Sequence, residues 1–139
     1  MVALTITASS VVYVSGPKEI DQVAGEAFDA GACIYRADDG EWYKAQCDGT
    51  AVQAGSNDLG MALASADVDG ARITVAKAGA IVTVGTGTAG IAYGPGDTAG
   101  LYQPMADMGS TDKVTLAALG IGSNQLKLAL VYNAGSVIA

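Results

Sequence analysis

Gly31-Ala-Cys-Ile-Tyr-Arg-Ala-Asp-Asp-Gly-Glu-Trp-Tyr-Lys-Ala-Gln-Cys47 places two runs rich in β-branched and aromatic residues on either side of Asp38-Asp39-Gly40. Asp-Gly between such runs signals a β-hairpin, because glycine takes the left-handed backbone that a tight reversal requires. With Gly40 in the left-handed position of a three-residue loop, Tyr35 lies opposite Tyr43 and Arg36 opposite Trp42. Aromatic and cation–π pairs then form across the strands; a two-residue loop shifts that register by one. After a polar break at 49–58 come Leu59-Gly-Met-Ala-Leu-Ala64, the turn Asp67-Val-Asp-Gly70, Arg72-Ile-Thr-Val-Ala76, the turn Lys77-Ala-Gly79 and Ala80-Ile-Val-Thr-Val84. These five short strands are expected to form one antiparallel unit around which the flanks pack.

On the N-terminal side, Val2-Ala-Leu-Thr-Ile-Thr-Ala8 alternates apolar and hydroxyl residues as a half-buried strand does, and Val11-Val-Tyr-Val14 reads as a second strand. Pro17 after Ser15-Gly16 is placed to open one or two helical turns through Ile20, Val23 and Ala24, ended by Gly25; an irregular loop fits the same residues. Phe28, the single phenylalanine, is expected to be buried. Beyond Val84 the prolines and glycines around Ile91-Ala-Tyr-Gly94 and Leu101-Tyr-Gln-Pro-Met105 speak for turns and short edge strands. Lys113-Val-Thr-Leu-Ala-Ala-Leu119 and Asn124-Gln-Leu-Lys-Leu-Ala-Leu-Val-Tyr132 are the last strands, with Leu126, Leu128, Leu130 and Tyr132 on one face. The pattern predicts an all-β chain: a small antiparallel β-barrel or β-sandwich with long Gly-rich loops and at most one short helix. Residues 1–139 read as a single domain, and a chain of that length buries roughly 68% of its unfolded surface without needing a disulfide.

Fourteen acidic and seven basic residues give a net charge of −7, and histidine is absent. Such a charge repels phosphate backbones, so nucleic acid is not an expected partner. The absence of histidine removes the commonest general base and metal ligand. The N-terminus has neither a basic n-region nor a long apolar run, so no signal peptide, membrane anchor or membrane contact is expected.

The motifs are weaker than they first look. Gly85-Thr-Gly-Thr-Ala-Gly90 spells a dinucleotide-binding pattern, but that pattern works only where the glycines lead into a helix. Gly94, Pro95 and Gly96 follow here, so a loop is expected. The Asp38-Asp39-Gly40 and Asp67-Val-Asp69-Gly70 turns lack the further oxygen ligands of a calcium loop. Two Ser-x-x-Lys matches, Ser15 to Lys18 and Ser110 to Lys113, lack the partners that such chemistry requires. No cofactor and no enzymatic activity are expected. Cys33 and Cys47 sit at the outer ends of the hairpin as diagonal neighbours, because Cys33 faces Ala45; a disulfide needs distorted strand ends, and reduced thiols are the first expectation.

The order of segments from Ala24 to Ser136 resembles a group of small tailed-bacteriophage head proteins. The resemblance rests on the hairpin Ala24–Ala45, Leu59-Gly-Met-Ala-Leu-Ala64, Ile73-Thr-Val-Ala76, Ala78-Gly-Ala-Ile-Val82, Leu119-Gly-Ile-Gly-Ser-Asn-Gln-Leu-Lys-Leu128 and Ala134-Gly-Ser136. Residues 1–23 lie outside it. The resemblance implies a capsid decoration or cement protein, made in the host cytoplasm and seated on the outer surface of the virion head. It also implies a homo-oligomer, commonly a trimer, whose partner is the major capsid protein. Leu4 and Ile6 are candidate partner contacts, because a terminal β segment can add to another sheet's edge; closing the chain's own barrel is the competing use of that strand. Trp42 is a second candidate contact, with a core position as the competing reading. The alternative function is a carbohydrate- or receptor-binding module, such as a head fibre or tail-associated adhesin, stacking sugars on Trp42, Tyr43, Tyr93 and Tyr102.

Overall fold

The structure, a computed structural model, describes residues 4, 6–47, 53, 58–85, 90–96, 98–104, 113–121 and 124–137, with the backbone alone described at 113, 114 and 131–137. The expected hairpin forms from β3 (Cys33–Arg36) and β4 (Trp42–Lys44), with Tyr35 opposite Tyr43 and Arg36 opposite Trp42. Ala37 N–H donates to Glu41 O at 2.9 Å and Gly40 N–H to Ala37 O at 3.0 Å, which closes the three-residue loop with Gly40 at φ +84°. The Tyr35 and Tyr43 rings stack at 5.8 Å, and the Arg36 guanidinium lies 5.8 Å from the Trp42 ring.

Outward from the hairpin, β5 (Leu59–Ala62) pairs with β3, β6 (Arg72–Ala76) with β5, and β2 (Lys18–Val23) with β6. These make a five-stranded antiparallel sheet in the order β2-β6-β5-β3-β4. The second sheet has six strands, in the order β1-β7-β11-β10-β8-β9. They are β1 (Val12–Ser15), β7 (Ile81–Thr83), β8 (Ala92–Pro95), β9 (Tyr102–Pro104), β10 (Lys113–Gly120) and β11 (Gln125–Val137). The chain is all-β, two antiparallel sheets without a closed barrel, as a β-sandwich is built.

Three sequence expectations are corrected. The five central strands do not stay in one unit: after Lys77-Ala-Gly79 the chain crosses to the other sheet, where Gly79 N–H donates to Leu128 O at 2.7 Å and Leu128 N–H to Ala80 O at 2.8 Å. Four of the five strands share a sheet, and β7 joins the six-stranded one. The segment after Pro17 is a strand rather than helical turns. Lys18 and Glu19 pair with Ala76 and Val75, an irregularity follows with Asp21 at φ +57°, and Gln22 and Val23 pair with Ile73 and Arg72. Ile20 is thereby exposed while Ala24 is buried, so the residues that shared a helical face do not share an environment. At the N-terminus, Leu4, Ile6 and Thr7 belong to no strand, Thr7 is extended and Ala8–Ser10 is a 3-10 turn; Val2, Ala3 and Thr5 of the expected strand lie outside the described residues.

Two cores result. One lies between the sheets, where Cys33, Tyr35, Leu59, Met61, Val82, Tyr93, Tyr102, Leu126 and Leu128 meet. Leu130 packs against it in part, and the side chain of Tyr132 lies outside the described residues. The other lies on the opposite face of the five-stranded sheet, where Ile34, Trp42, Ala62, Ile73 and Val75 are covered by Ala24, Phe28 and Ala66. This cover forms because the chain after β2 turns back, with a parallel bridge between Ala24 and Trp42 and an antiparallel one between Phe28 and Ala66. A sheet buried on both faces needs continuous apolar strands instead of alternating ones. That is why all four residues of β5, Leu59-Gly-Met-Ala62, are buried.

Gly60 shows how close the packing is. A Cβ there would lie 2.5 Å from Val75 Cγ1 and 2.6 Å from the Ala76 carbonyl oxygen. Gly60→Ala is therefore expected to destabilise by about 1–3 kcal/mol through overpacking against backbone. Urea denaturation followed by circular dichroism reads this directly; an unchanged midpoint would mean that β5 and β6 separate freely.

Candidate interaction surfaces

Alternation along the six strands fixes which side chains face away from the inter-sheet core. Val82, Leu126, Leu128, Ala118 and Tyr93 point inward and are buried. The outward rows are Val12, Thr83 and Gln125, then Ile81, Lys127, Leu119 and Ala92, each joined by ladder pairing. Gln125 Nε2 donates to Thr83 Oγ1 at 3.2 Å along the first row. Val12 and Val14 are 57% and 48% exposed, and Leu119 is also exposed. Ile91 and Ile121 adjoin the ends of β8 and β10 and are also exposed, so five of the eight exposed large apolar residues among those described lie in or beside these strands.

The charge distribution sharpens the contrast. The six strands contain Lys113 and Lys127 and no acidic residue. All fourteen carboxylates of the chain lie outside them. The strands of the other sheet hold four basic and two acidic residues, so the net charge of −7 is carried by the loops, and a partly apolar sheet face with two lysines and no carboxylate in its strands is left.

Trp42 is fully buried in the second core. Its Nε1–H donates to Gln22 Oε1 at 3.0 Å, and Arg36 donates to the same oxygen from a guanidinium nitrogen at 3.2 Å. Lys77 Nζ lies 5.1 Å from the ring centroid and pairs with Asp58 and, at 3.5 Å, with Glu19. The indole therefore has its partners inside the chain and presents no ring face to another molecule. At the hairpin tip, Tyr43 donates its hydroxyl to Asp39 Oδ2 at 2.7 Å, and Glu41 N–H donates to Asp39 Oδ1 at 2.9 Å. Those two bonds, the Glu41 amide first, hold the Asp39 carboxyl below the usual range. The same carboxylate pushes the Tyr43 phenol up to about 12. Tyr93 and Tyr102 are buried like Trp42, so three of the four aromatics expected for sugar stacking offer no free ring.

Cys33 and Cys47 are not joined by a disulfide in this structure, and both are buried. Ala45 N–H donates to Cys33 O at 2.9 Å, the diagonal arrangement expected from the register. Cys33 points into the inter-sheet core, where its thiol and the Tyr102 hydroxyl are hydrogen-bonded. Burial pushes that thiol up to about 12 and the Tyr102 phenol well above its ordinary range.

Leu4 and Ile6 pack partly buried against the inter-sheet core. Leu4 N–H donates to Tyr102 O at 2.8 Å, along the free edge of β9. With Phe28, Lys44, Asp67 and Leu101 they line a cavity of about 440 Å³. Both candidate contacts thus lie against their own domain. Of the Gly-rich stretch, residues 86–89 lie outside the described residues, and the strand β8, not a helix, follows it. Sequence reasoning missed the outward face of the six-stranded sheet, although the absence of acidic residues from those strands was there to be read. No family model, curated protein or solved structure matches this chain.

Proposed function

We propose that the protein is a structural component of a tailed-phage virion, a decoration or cement protein that binds the outer surface of the head and stabilises the lattice against the pressure of packaged DNA. The observation that carries this reading is the segregation of charge: a six-stranded sheet whose strands hold two lysines and no carboxylate and expose Val12, Val14 and Leu119, on a chain with fourteen acidic residues. A broad, low-charge sheet face suits contact with a large protein surface such as the major capsid protein, and the acidic remainder keeps the particle exterior solvated. An apolar contact of ~600 Å² per subunit contributes a gross ~15 kcal/mol before association costs, enough to act as a cement when repeated over a lattice. The segments that carry the resemblance to head proteins are those that form β3 to β7, β10 and β11.

The test mixes purified protein with DNA-filled heads that lack it, pellets the heads and counts bound copies. Saturable binding in symmetry-related numbers with raised heat resistance is the expected result. Leu119→Glu should leave stability within about 0.5 kcal/mol, as an exposed substitution does. It should weaken head binding about tenfold or more, the value of one apolar anchor. Failure of the wild-type chain to bind heads overturns the function; undiminished binding by Leu119→Glu overturns the assignment of the face.

A further inference from the structure

Two open sheets have four edge strands, and an exposed edge is a template for pairing that proteins ordinarily block with charge, proline, bulges or covering segments. Three of the four are blocked here. Along β9, Leu4 N–H occupies the Tyr102 carbonyl and Pro104 lacks a donor. Along β4, Gly25 N–H donates to Trp42 O at 2.8 Å, and the Glu26 carboxylate accepts from Lys44 N–H at 2.8 Å. The strand β2 carries Lys18, Glu19 and Asp21, three charges in its first four residues. The remaining edge, β1, reads Val12-Tyr13-Val14-Ser15, with neither charge nor proline. Of the usual devices it has a bulge alone, with Val14 as the extra residue between Tyr13 and Ser15 in the ladder to β7, and the Lys18 ammonium lies 4.3 Å from the Tyr13 ring centroid. Among the described residues no backbone hydrogen bond covers its outer side.

We propose that β1 is a self-association edge: two copies of this chain pair their β1 strands antiparallel about a two-fold axis through Tyr13, fusing two six-stranded sheets into one. Paired residues in a sheet share a face, so the register must join residues of equal parity. Val-Tyr-Val is symmetric about Tyr13 and satisfies this without any complementary sequence, placing Val12 opposite Val14 of the partner subunit and Tyr13 opposite its counterpart. Charge selects the same occupant. Two chains at −7 repel, yet β1 and the rest of its sheet hold no acidic residue, whereas pairing through β2 would bring Glu19 and Asp21 of both copies together. The fused sheet also extends the low-charge outward face continuously across the axis, since Val12 and Val14 belong to it. The proposed pairing makes a two-fold dimer, where the resemblance to head proteins implies a trimer, and its test does not depend on whether the protein binds heads.

The test needs no capsid. Sedimentation equilibrium of the full chain over a wide concentration series should fit a monomer–dimer equilibrium. The Val12→Lys/Val14→Lys variant sets like charges directly opposite across the axis and should weaken it by at least about tenfold, with an unchanged circular dichroism spectrum. Register is read by mixing two single variants, Val12→Cys and Val14→Cys, under mild oxidation. Directly opposed positions have Cβ atoms about 4.5–5.5 Å apart and can be bridged, whereas a residue and its own counterpart are diagonal at about 7–8 Å. The mixture should give a disulfide-linked heterodimer and each variant alone should not; the native thiols are buried and do not compete. A monomer or trimer in sedimentation, or cross-linking that is absent from the mixture or equal in the single variants, overturns the proposal.

Discussion

Trp42→Ala is expected to lower the unfolding free energy by about 4 kcal/mol. Trp42 is the largest fully buried side chain, and in the smaller core it packs with Phe28, Ile34, Ile73, Val75 and the returning segment at Ala24. Truncation leaves a cavity that the hairpin cannot collapse, because β4 is held on one side by β3 and on the other by Gly25 and Glu26. It also removes one of the two donors to Gln22 Oε1 and strips the ring from beneath Arg36 and Lys77. Trp42→Phe keeps most of the volume and loses the N–H bond, so about 1–2 kcal/mol is expected there. Since Trp42 is the only tryptophan, the comparison is read by far-ultraviolet circular dichroism in urea rather than by fluorescence. A loss below about 1 kcal/mol for Trp42→Ala would mean that the second core is not a cooperative part of the fold. Trp42→Phe should bind heads like the wild-type chain, which separates a core tryptophan from one that touches a partner.

The contrast between Trp42 and Leu119 shows what the sequence made legible and what it did not. Local chemistry placed the hairpin to the residue: Asp38-Asp39-Gly40 admits few loop geometries, and the three-residue one fixes Tyr35 against Tyr43. Strand positions at 59–62, 72–76 and 81–83 followed from turn signals in the same way. Sheet membership did not, because Lys77-Ala-Gly79 spells a tight turn whether the chain returns to its own sheet or crosses to the other. Only Leu128, nearly fifty residues downstream, decides between them by capturing Gly79 and Ala80. The stretch after Pro17 was misread for a related reason. Its helical spacing of Ile20, Val23 and Ala24 is a weak local preference, and pairing with β6 overrides it. Leu4 and Ile6 are candidates because a terminal β segment can add to another sheet's edge, and Trp42 because it is an exposed-looking aromatic on a hairpin, but apolar and aromatic side chains are buried wherever the chain can cover them. An apolar residue left exposed by strand alternation, as Val12 and Leu119 are, can be recognised only after register and sheet order are known. Charge segregation, by contrast, needs no coordinates, since residues 113–137 contain no acidic residue.

Alkaline pH is expected to destabilise the fold from about pH 9 upward, with the Cys33–Tyr102 pair as the main cause. Burial raises the Cys33 thiol from its ordinary 9.0 to about 12 in the folded chain, the Tyr102 hydrogen bond offsetting only part of the shift. Tyr102 is raised well above 10.0, again chiefly by burial and then by the neighbouring sulfur. A folded-state value above the unfolded one means that the neutral form is favoured by folding. The stability it contributes is therefore fully present below pH 9 and is lost as pH rises toward 12. For Cys33 the loss approaches about 1.4 kcal/mol per pH unit and about 4 kcal/mol in all, and Tyr102 adds a loss of the same sign beginning near pH 10. With no histidine in the chain, the profile between pH 6 and 8 should be nearly flat. Thermal midpoints measured from pH 7 to 11 for the wild type and Cys33→Ala decide the matter. The variant loses its midpoint later, from about pH 10, because the groups left with raised values are phenols, Tyr102 chief among them with Tyr43 and Tyr35. Coincident slopes from pH 9 to 10 would show that Cys33 does not titrate on unfolding, and rapid labelling of Cys33 in the native protein by a thiol reagent would show that it is not sealed in the core. Because the pair sits where β3 and β9 meet between the sheets, its ionisation separates the sandwich and leaves the outward face of the six-stranded sheet chemically unaltered. Head binding and dimerisation should then fail at high pH together with the fold, at the same midpoint, and not before it.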